Sequence, residues 1–547
     1  MNNKIKNLLL IVSIAFSLSS CYEDLGNYDY HEINEVEIEI PKTSVRLPKA
    51  GETAMVEIIP EISQTILQNE EHLEYLWEKG PENIQFTKDY VEIGTEKNCR
   101  FEVLPEDDYN ISIRLTVTDN QTGLKWYQVG KVTVVMPFSS TWFVLQEKNG
   151  TGILGVADGD LEASVILPDV FKEELGATFP LHGKPFRLTT YHNYGLNHIF
   201  VKNPMKPIVA IATDKDMWIM DAAKLTKIWE ANNMFLYPVR ETPNIQRNIT
   251  ALKQSKAGEM AIDNGNLYWS FMDGYGVFYR VGCTEENEDM EATHFTEYNS
   301  GNRYMVYDKK YHRFMYFSID HSMIGDAMNI ARNNPYVRNP TSTGHLSTHK
   351  KLRCFGNNGY VFNPDNIAEI DPSIEVLEMI RTANHAMAMA TTPGSSEVKV
   401  LEFGVNGAVT GLYSFTAPDG LKAEDLYFCT SYVYNRIFFA AAKNKVYKIE
   451  LQGAEGRVST IYEHLDANAN IAGIKFKNEE MVSEEMVSWE PVPTNYILGA
   501  SVNNGEEGSL VELNLTLAGD VRRDENAIHE YKGFDKIVDF AYSYQDQ

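Results

Sequence analysis

The run Arg436-Ile437-Phe438-Phe439-Ala440, followed after a short polar turn by Lys445-Val446-Tyr447-Lys448-Ile449, decides the fold. An apolar strand, a turn and a second strand led by a valine and an aromatic make a β-hairpin. The same unit stands at Asn266-Leu267-Tyr268-Trp269-Ser270 with Gly276-Val277-Phe278-Tyr279. Looser copies occur at Ile208 to Thr213 with Met217 to Met220, at Val398 to Phe403 with Leu412 to Phe415, and at Ile497 to Val502 with Leu510 to Leu513. Further units centre on Tyr304 to Phe317 and on Trp142 to Ala157.

Repetition on this scale points to a ring of small sheets. About seven hairpins over roughly 410 residues leave about 59 residues each, roomy for a four-stranded blade with long loops. Residues 138–547 are therefore expected to form a β-propeller of about seven blades, six or eight fitting the length as well. Lys536-Ile537-Val538-Asp539-Phe540-Ala541-Tyr542 is a strand suited to pair near Trp142 and close the ring. The competing arrangement of the same hairpins is a pair of sandwiches or an irregular β domain. Helices are few, Pro168 to Leu175 before Gly176 being the best candidate.

Upstream, residues 33–137 carry a second β pattern. Val36, Ile38 and Ile40 alternate with Glu37 and Glu39; Ile111, Ile113, Leu115 and Val117 alternate with Ser112, Arg114, Thr116 and Thr118; Val132 and Val134 repeat the signal. A period of two buries one face of each strand. With Tyr75-Leu76-Trp77 as a central strand bearing a core tryptophan and Tyr109 placed for a tyrosine corner, an immunoglobulin-like sandwich is expected. The fold class is thus all-β, a sandwich followed by a propeller.

The chain starts with Lys4 and Lys6, the apolar run Leu8 to Leu18, and Leu18-Ser19-Ser20-Cys21. A positive n-region and an apolar stretch of about eleven residues make a secretory signal, because a spanning helix needs roughly 20. Residues 1–20 are read as that signal and residues 21–32 as an acidic tether. Leu-Ser-Ser-Cys resembles the lipobox of bacterial lipoproteins, which implies lipid attachment at Cys21; several acyl chains anchor firmly where one does not. The acidic pair Glu23-Asp24 directly after it resembles the surface-export signal of Bacteroidetes lipoproteins, which implies the outer face of the outer membrane.

Tyr109, Val117-Thr118-Asp119 and Thr122-Gly123 resemble the close of a PKD domain. Together with Cys21-Tyr22-Glu23-Asp24, Gly26-Asn27-Tyr28 and Ile33-Asn34-Glu35-Val36, they resemble the PKD-like family of Bacteroidetes lipoproteins over residues 21 to about 136. Members are commonly encoded beside SusC/SusD-like uptake systems for glycans or peptides, so the resemblance implies an accessory role in nutrient capture.

Composition narrows the partners. The formal charge is −27, from 49 basic and 76 acidic residues, with no long basic cluster. Nucleic acid and anionic lipid are poor partners for such a chain, leaving the lipid anchor as its membrane contact. The other cysteines, Cys99, Cys283, Cys354 and Cys429, are too scattered for a Cys-x-x-Cys site and are read as small buried hydrophobes, one long-range disulfide being the alternative.

Chemistry-bearing motifs are thin. Gly150-Thr151-Gly152-Ile153-Leu154-Gly155 matches G-x-G-x-x-G, but Val156-Ala157-Asp158-Gly159-Asp160 follows where a helix N-terminus is needed, so a hairpin turn is expected and no dinucleotide. Asp466-Ala467-Asn468-Ala469-Asn470 starts like a calcium loop, yet Ile471 stands where glycine is required and Lys477 where a bidentate glutamate belongs. No cofactor is expected; an irregular calcium site on an acidic loop such as Asp158-Gly159-Asp160 stays open. His192 with His198, and His345 with His349, have metal-compatible spacing but no third ligand, and are read as turn histidines. No Gly-x-Ser-x-Gly elbow occurs.

Aromatic side chains with a polar tip serve sugars and peptides alike. Those in loops are the candidates for ligand contact: Tyr191, Tyr194, Tyr275 and Trp489, the last in the charged insertion Lys477 to Thr494. The reading is a non-catalytic, surface-anchored accessory lipoprotein; the alternatives are a cell-surface propeller enzyme and a purely structural subunit.

Overall fold

In the computed structural model the described residues are 33–47, 52–67, 69–81, 90–104, 107, 110–135, 137–138, 140–158, 165–192, 207–230, 248–255, 258–271, 278–280, 291–298, 303–318, 370–382, 385–404, 409–478 and 493–543. They are almost entirely β, as the two-residue alternation requires. The N-terminal sandwich has a five-stranded sheet ordered Thr43–Arg46, Lys125–Val135, Asn110–Asp119, Leu73–Pro81 and Val91–Gly94. Two short ladders face it, Val36–Glu39 with Glu61–Gln64 and Ala54–Ile58 with Cys99–Val103. Ile111, Ile113, Leu115 and Val117 point inward, and Trp77 is fully buried, its indole N–H donating to the carbonyls of Glu96 and Lys97. Tyr109, the expected tyrosine corner, lies outside the described residues.

Among the described residues seven blades follow, arranged as a closed ring. Their innermost strands are residues 536–543 in blade 1, Pro185–His192 in blade 2, Ile249–Ser255 in blade 3, Ala292–Tyr298 in blade 4, Glu375–Arg381 in blade 5, Tyr427–Cys429 in blade 6 and Asn470–Phe476 in blade 7. Each touches the next, and the seventh touches the first. The seven hairpins read from the sequence are all present as antiparallel pairs. The expected helix is also there, as Val170–Leu175, capped by the Asp169 side chain and ended by Gly176 in the left-handed conformation.

Closure is made by one 16-residue strand, Ile528–Ser543. Its first half pairs with Glu507–Asn514 as the outer edge of blade 7, and its second half pairs with Thr141–Lys148 as the inner edge of blade 1. Where it passes from one sheet to the other, Gln146 accepts from the Asp535 amide at 2.7 Å and donates to the Pro168 carbonyl at 2.8 Å. Asn503 exchanges two 2.8 Å bonds with the backbone of Ile537. These buried amides supply partners that neither ladder can, which a buried backbone demands.

A latch recurs in three consecutive blades. The residue just before the innermost strand donates its backbone N–H to an aspartate at the end of the second strand or directly after it: Lys184 to Asp214 at 2.7 Å, Asn248 to Asp263 at 2.8 Å, Glu291 to Asp308 at 3.0 Å. Each carboxylate thereby ties the entry of its blade to the ring. The sandwich meets the propeller through Ala223, which joins the sandwich core, and through Arg46, 3.7 Å from Asp158.

Candidate functional site

The innermost strands enclose a channel of about 1060 Å³, at the upper end for small-ligand sites. One mouth is formed by the starts of the innermost strands and by turns after the second strands: Lys184, Phe186, Asp214, Tyr427, Asn503 and Lys536. Phe186 and Tyr427 are exposed there, at 36% and 46%.

Deeper in, single charged residues set between apolar neighbours converge from different blades. Asp539 of blade 1 accepts from Lys475 Nζ at 2.6 Å and from the Leu188 amide at 2.8 Å, with Arg187 Nη1 at 4.0 Å. Glu378 of blade 5 lies 3.4 Å from Lys253 Nζ of blade 3 and accepts from the Met379 amide at 3.0 Å. His294 of blade 4 sits between them, Nδ1 3.0 Å from Thr293 Oγ1. At the far side Lys477 holds Glu512 at 2.9 Å and lies 4.5 Å above the Tyr542 ring.

Electrostatics follow from this packing. Desolvation lowers the His294 pKa, and Lys253 and Arg187 push the same way against Glu378 and the Leu377 backbone, so the imidazole is neutral near pH 7. Desolvation works to raise the Glu378 carboxyl, but Lys253, His294, the Met379 amide and Arg187 outweigh it and hold it below the ordinary carboxylate range. A general acid needs a carboxyl raised towards neutrality, which is the opposite shift. The arrangement is built to hold polar groups and to neutralise a modest negative charge.

Of the ligand-contact candidates singled out by sequence, Tyr191 is among the described residues. Tyr191 is not in a loop: it belongs to the innermost strand of blade 2, paired with Ile208, because the ladder of Pro185–His192 runs two residues further than the apolar alternation. His192 is in the same strand rather than in a turn. Tyr194, Tyr275, Trp489, Cys21, Glu23, Asp24, His198, His345, His349, Cys283 and Cys354 lie outside the described residues. Cys99 and Cys429 are both buried, as expected of small buried hydrophobes. Gly150 is a hairpin turn, following Asn149 with both at positive φ. Asp466 caps its own loop, accepting from the Asn468 amide at 2.9 Å and from Asn504 Nδ2 at 2.7 Å. Among the described residues no group of three or more His, Cys, Asp or Glu stands close enough to hold a metal. Asp158 ends a strand beside Arg46, and Asp160 is outside the described residues.

Sequence reasoning missed Arg187, Lys253, His294, Glu378, Lys475 and Asp539. Their signal was a lone charge or imidazole inside an apolar strand, as in Phe186-Arg187-Leu188, Ile474-Lys475-Phe476 and Val538-Asp539-Phe540.

The PKD-like family model matches residues 21–185, running past the sandwich into the first strands of the propeller. A comparison with curated protein sequences found no match. Among solved structures, a quinonprotein alcohol dehydrogenase-like protein from Bacteroides thetaiotaomicron is similar at 12% identity and a TM-score of 0.40, over 92% of this chain and 97% of that one. The WD40 domain of Toxoplasma gondii coronin is similar at 9% identity and a TM-score of 0.37, over 70% of this chain and 82% of that one. AztD from Citrobacter koseri matches at 9% identity and a TM-score of 0.36, over 86% of this chain and 98% of that one. Likeness at this level carries nothing about activity.

Proposed function

We propose that the chain is a surface lipoprotein whose PKD-like sandwich spaces and docks a non-catalytic propeller, acting as an accessory to a SusC/SusD-like system that takes up glycan or peptide. One observation carries the non-catalytic part. Glu378 and Asp539, the carboxylates set deepest in the channel lining, are each engaged by a lysine at 3.4 Å or less, which suits a wall that holds a ligand better than one that transfers a proton. The anchoring part rests on Cys21 with Glu23 and Asp24, and the uptake part on the PKD-like resemblance.

The test is a pull-down from detergent-solubilised outer membrane with the protein tagged at its C-terminus, read by mass spectrometry. A SusC/SusD-like pair in the eluate is the expected result. Recovery of the protein alone sinks the uptake reading and moves the question to hydrolysis screens on glycans and peptides.

A further inference from the structure

Taking the propeller as a binding module, we infer that its channel is a site for a carboxylate-bearing sugar residue, with the Arg187 guanidinium as the group that receives the carboxylate. Arg187 differs from its cationic neighbours. Lys253, Lys475 and Lys477 each stand within 3.4 Å of a carboxylate oxygen. The Arg187 guanidinium forms no hydrogen bond among the described residues: Asp539 Oδ2 is 4.0 Å away and already accepts from the Leu188 amide, and Arg187 Nε is buried without a partner. Buried donors are ordinarily satisfied, so an acceptor is missing here. The side chain is 38% exposed and lies over the Phe186 ring at 5.1 Å, which holds the guanidinium plane.

A planar fork matches a planar, two-oxygen acceptor, and a carboxylate meets it with two parallel hydrogen bonds. The local charge sets the valence. Arg187, Lys253 and Lys475 face Asp539 and Glu378, with His294 neutral, so one net positive charge awaits one negative charge. A phosphate dianion would exceed it. The surroundings suit a sugar: Thr189, Thr190, Thr250 and Thr293 line the same stretch with hydroxyls, and Phe186 and Tyr427 offer flat apolar faces at the mouth.

The test is isothermal titration of the full chain, at low salt, with trigalacturonate as probe. Controls are the neutral galactose trimer of the same linkage, triglutamate and sodium sulfate. Trigalacturonate is expected to bind at least tenfold more tightly than each control. Arg187→Gln should lose at least tenfold for trigalacturonate and nothing for the neutral trimer, and Arg187→Lys should recover only part, since an ammonium keeps charge without the fork. Equal binding of the neutral trimer, equal or tighter binding of triglutamate or sulfate, an unaffected Arg187→Gln, or no trigalacturonate binding overturns the assignment. The comparison of probes on the unaltered protein decides the matter even if Arg187→Gln fails to fold. A negative result leaves the uptake reading to its own pull-down.

Discussion

Trp142 and Tyr542 are direct antiparallel partners, and their rings meet edge to face with centroids 5.2 Å apart. Trp142 also donates its indole N–H to Glu512 at 2.5 Å, Glu512 pairs with Lys477, and Lys477 returns over the Tyr542 ring. Four side chains from blades 1 and 7 thus form a loop across the closure. Trp142→Phe removes one donor and leaves Glu512 its lysine, so it should cost about 1–3 kcal/mol. Trp142→Ala empties the site and should cost about 3–5 kcal/mol. Equilibrium denaturation checks both, and equal losses would show that the indole N–H is irrelevant.

The inner half of the closing strand should be indispensable to the ring. A chain lacking residues 536–547 leaves Thr141–Lys148 without its inner neighbour and exposes its unpaired edge. Limited proteolysis should then cut blade 1 before blades 5 and 6, and size-exclusion chromatography should show self-association. A monomeric, protease-resistant product would contradict the account of closure.

Two of the aspartate latches should differ in strength. Asp263→Ala removes the bonds from the Asn248 amide and from Asn264 Nδ2, and because Asn248 is exposed and water can take over at its amide the loss should be smaller, about 1–2 kcal/mol. Asp308 is fully buried and also accepts from Arg313 Nε at 3.0 Å, with the arginine side chain 9% exposed. Asp308→Ala removes that ion pair together with the bonds from the Glu291 and Lys310 amides and should cost about 3–5 kcal/mol. Urea midpoints of the two variants measure the difference.

Burial pushes the Cys99 thiol up to about 11. At pH 8 only about one molecule in a thousand then carries the thiolate, the reactive form. Iodoacetamide should leave Cys99 unmodified in the native protein and modify it in urea, as read by peptide mass spectrometry. Native labelling at pH 8 would place the thiol in a more open setting.

Glu530 links stability to pH. Desolvation works to raise its carboxyl, but Ser509, Lys532 and His464 hold it below the usual glutamate range. A depressed folded pKa contributes stability that is present above the unfolded value, about 4.3, and is lost as pH falls through the folded one. The stability gap between wild type and Glu530→Gln should therefore be largest near pH 6 and shrink towards pH 3. A gap independent of pH would assign the effect to packing.

The hairpins were legible because each is local: an alternating run, a turn and a second run within about twenty residues declare themselves without reference to the rest of the chain. The closing strand was legible for the same reason, since 536–542 is apolar in a place that has no hairpin partner of its own. The channel was not. Arg187, Lys253, His294, Glu378, Lys475 and Asp539 come one from each of six strands, and their separations in space follow from ring geometry that no single window contains. Tyr191 shows the smaller failure, in which a ladder outruns the hydrophobic pattern that marks its start and turns an expected loop residue into a strand residue. The latches lay between these cases, for Asp263 and Asp308 both sit at the end of an apolar strand before a polar turn, but their partners stand 15 and 17 residues upstream.

Because a single strand serves two blades, the order of synthesis constrains when the molecule can exist in its native shape. Every other strand of the propeller leaves the ribosome before residues 536–543 do. While those residues are still in the exit tunnel, blade 1 waits without its inner strand and the channel lacks Asp539, one wall of its charged belt. Until residues 536–543 are in place neither the ring nor the channel is complete, and the same strand completes both together.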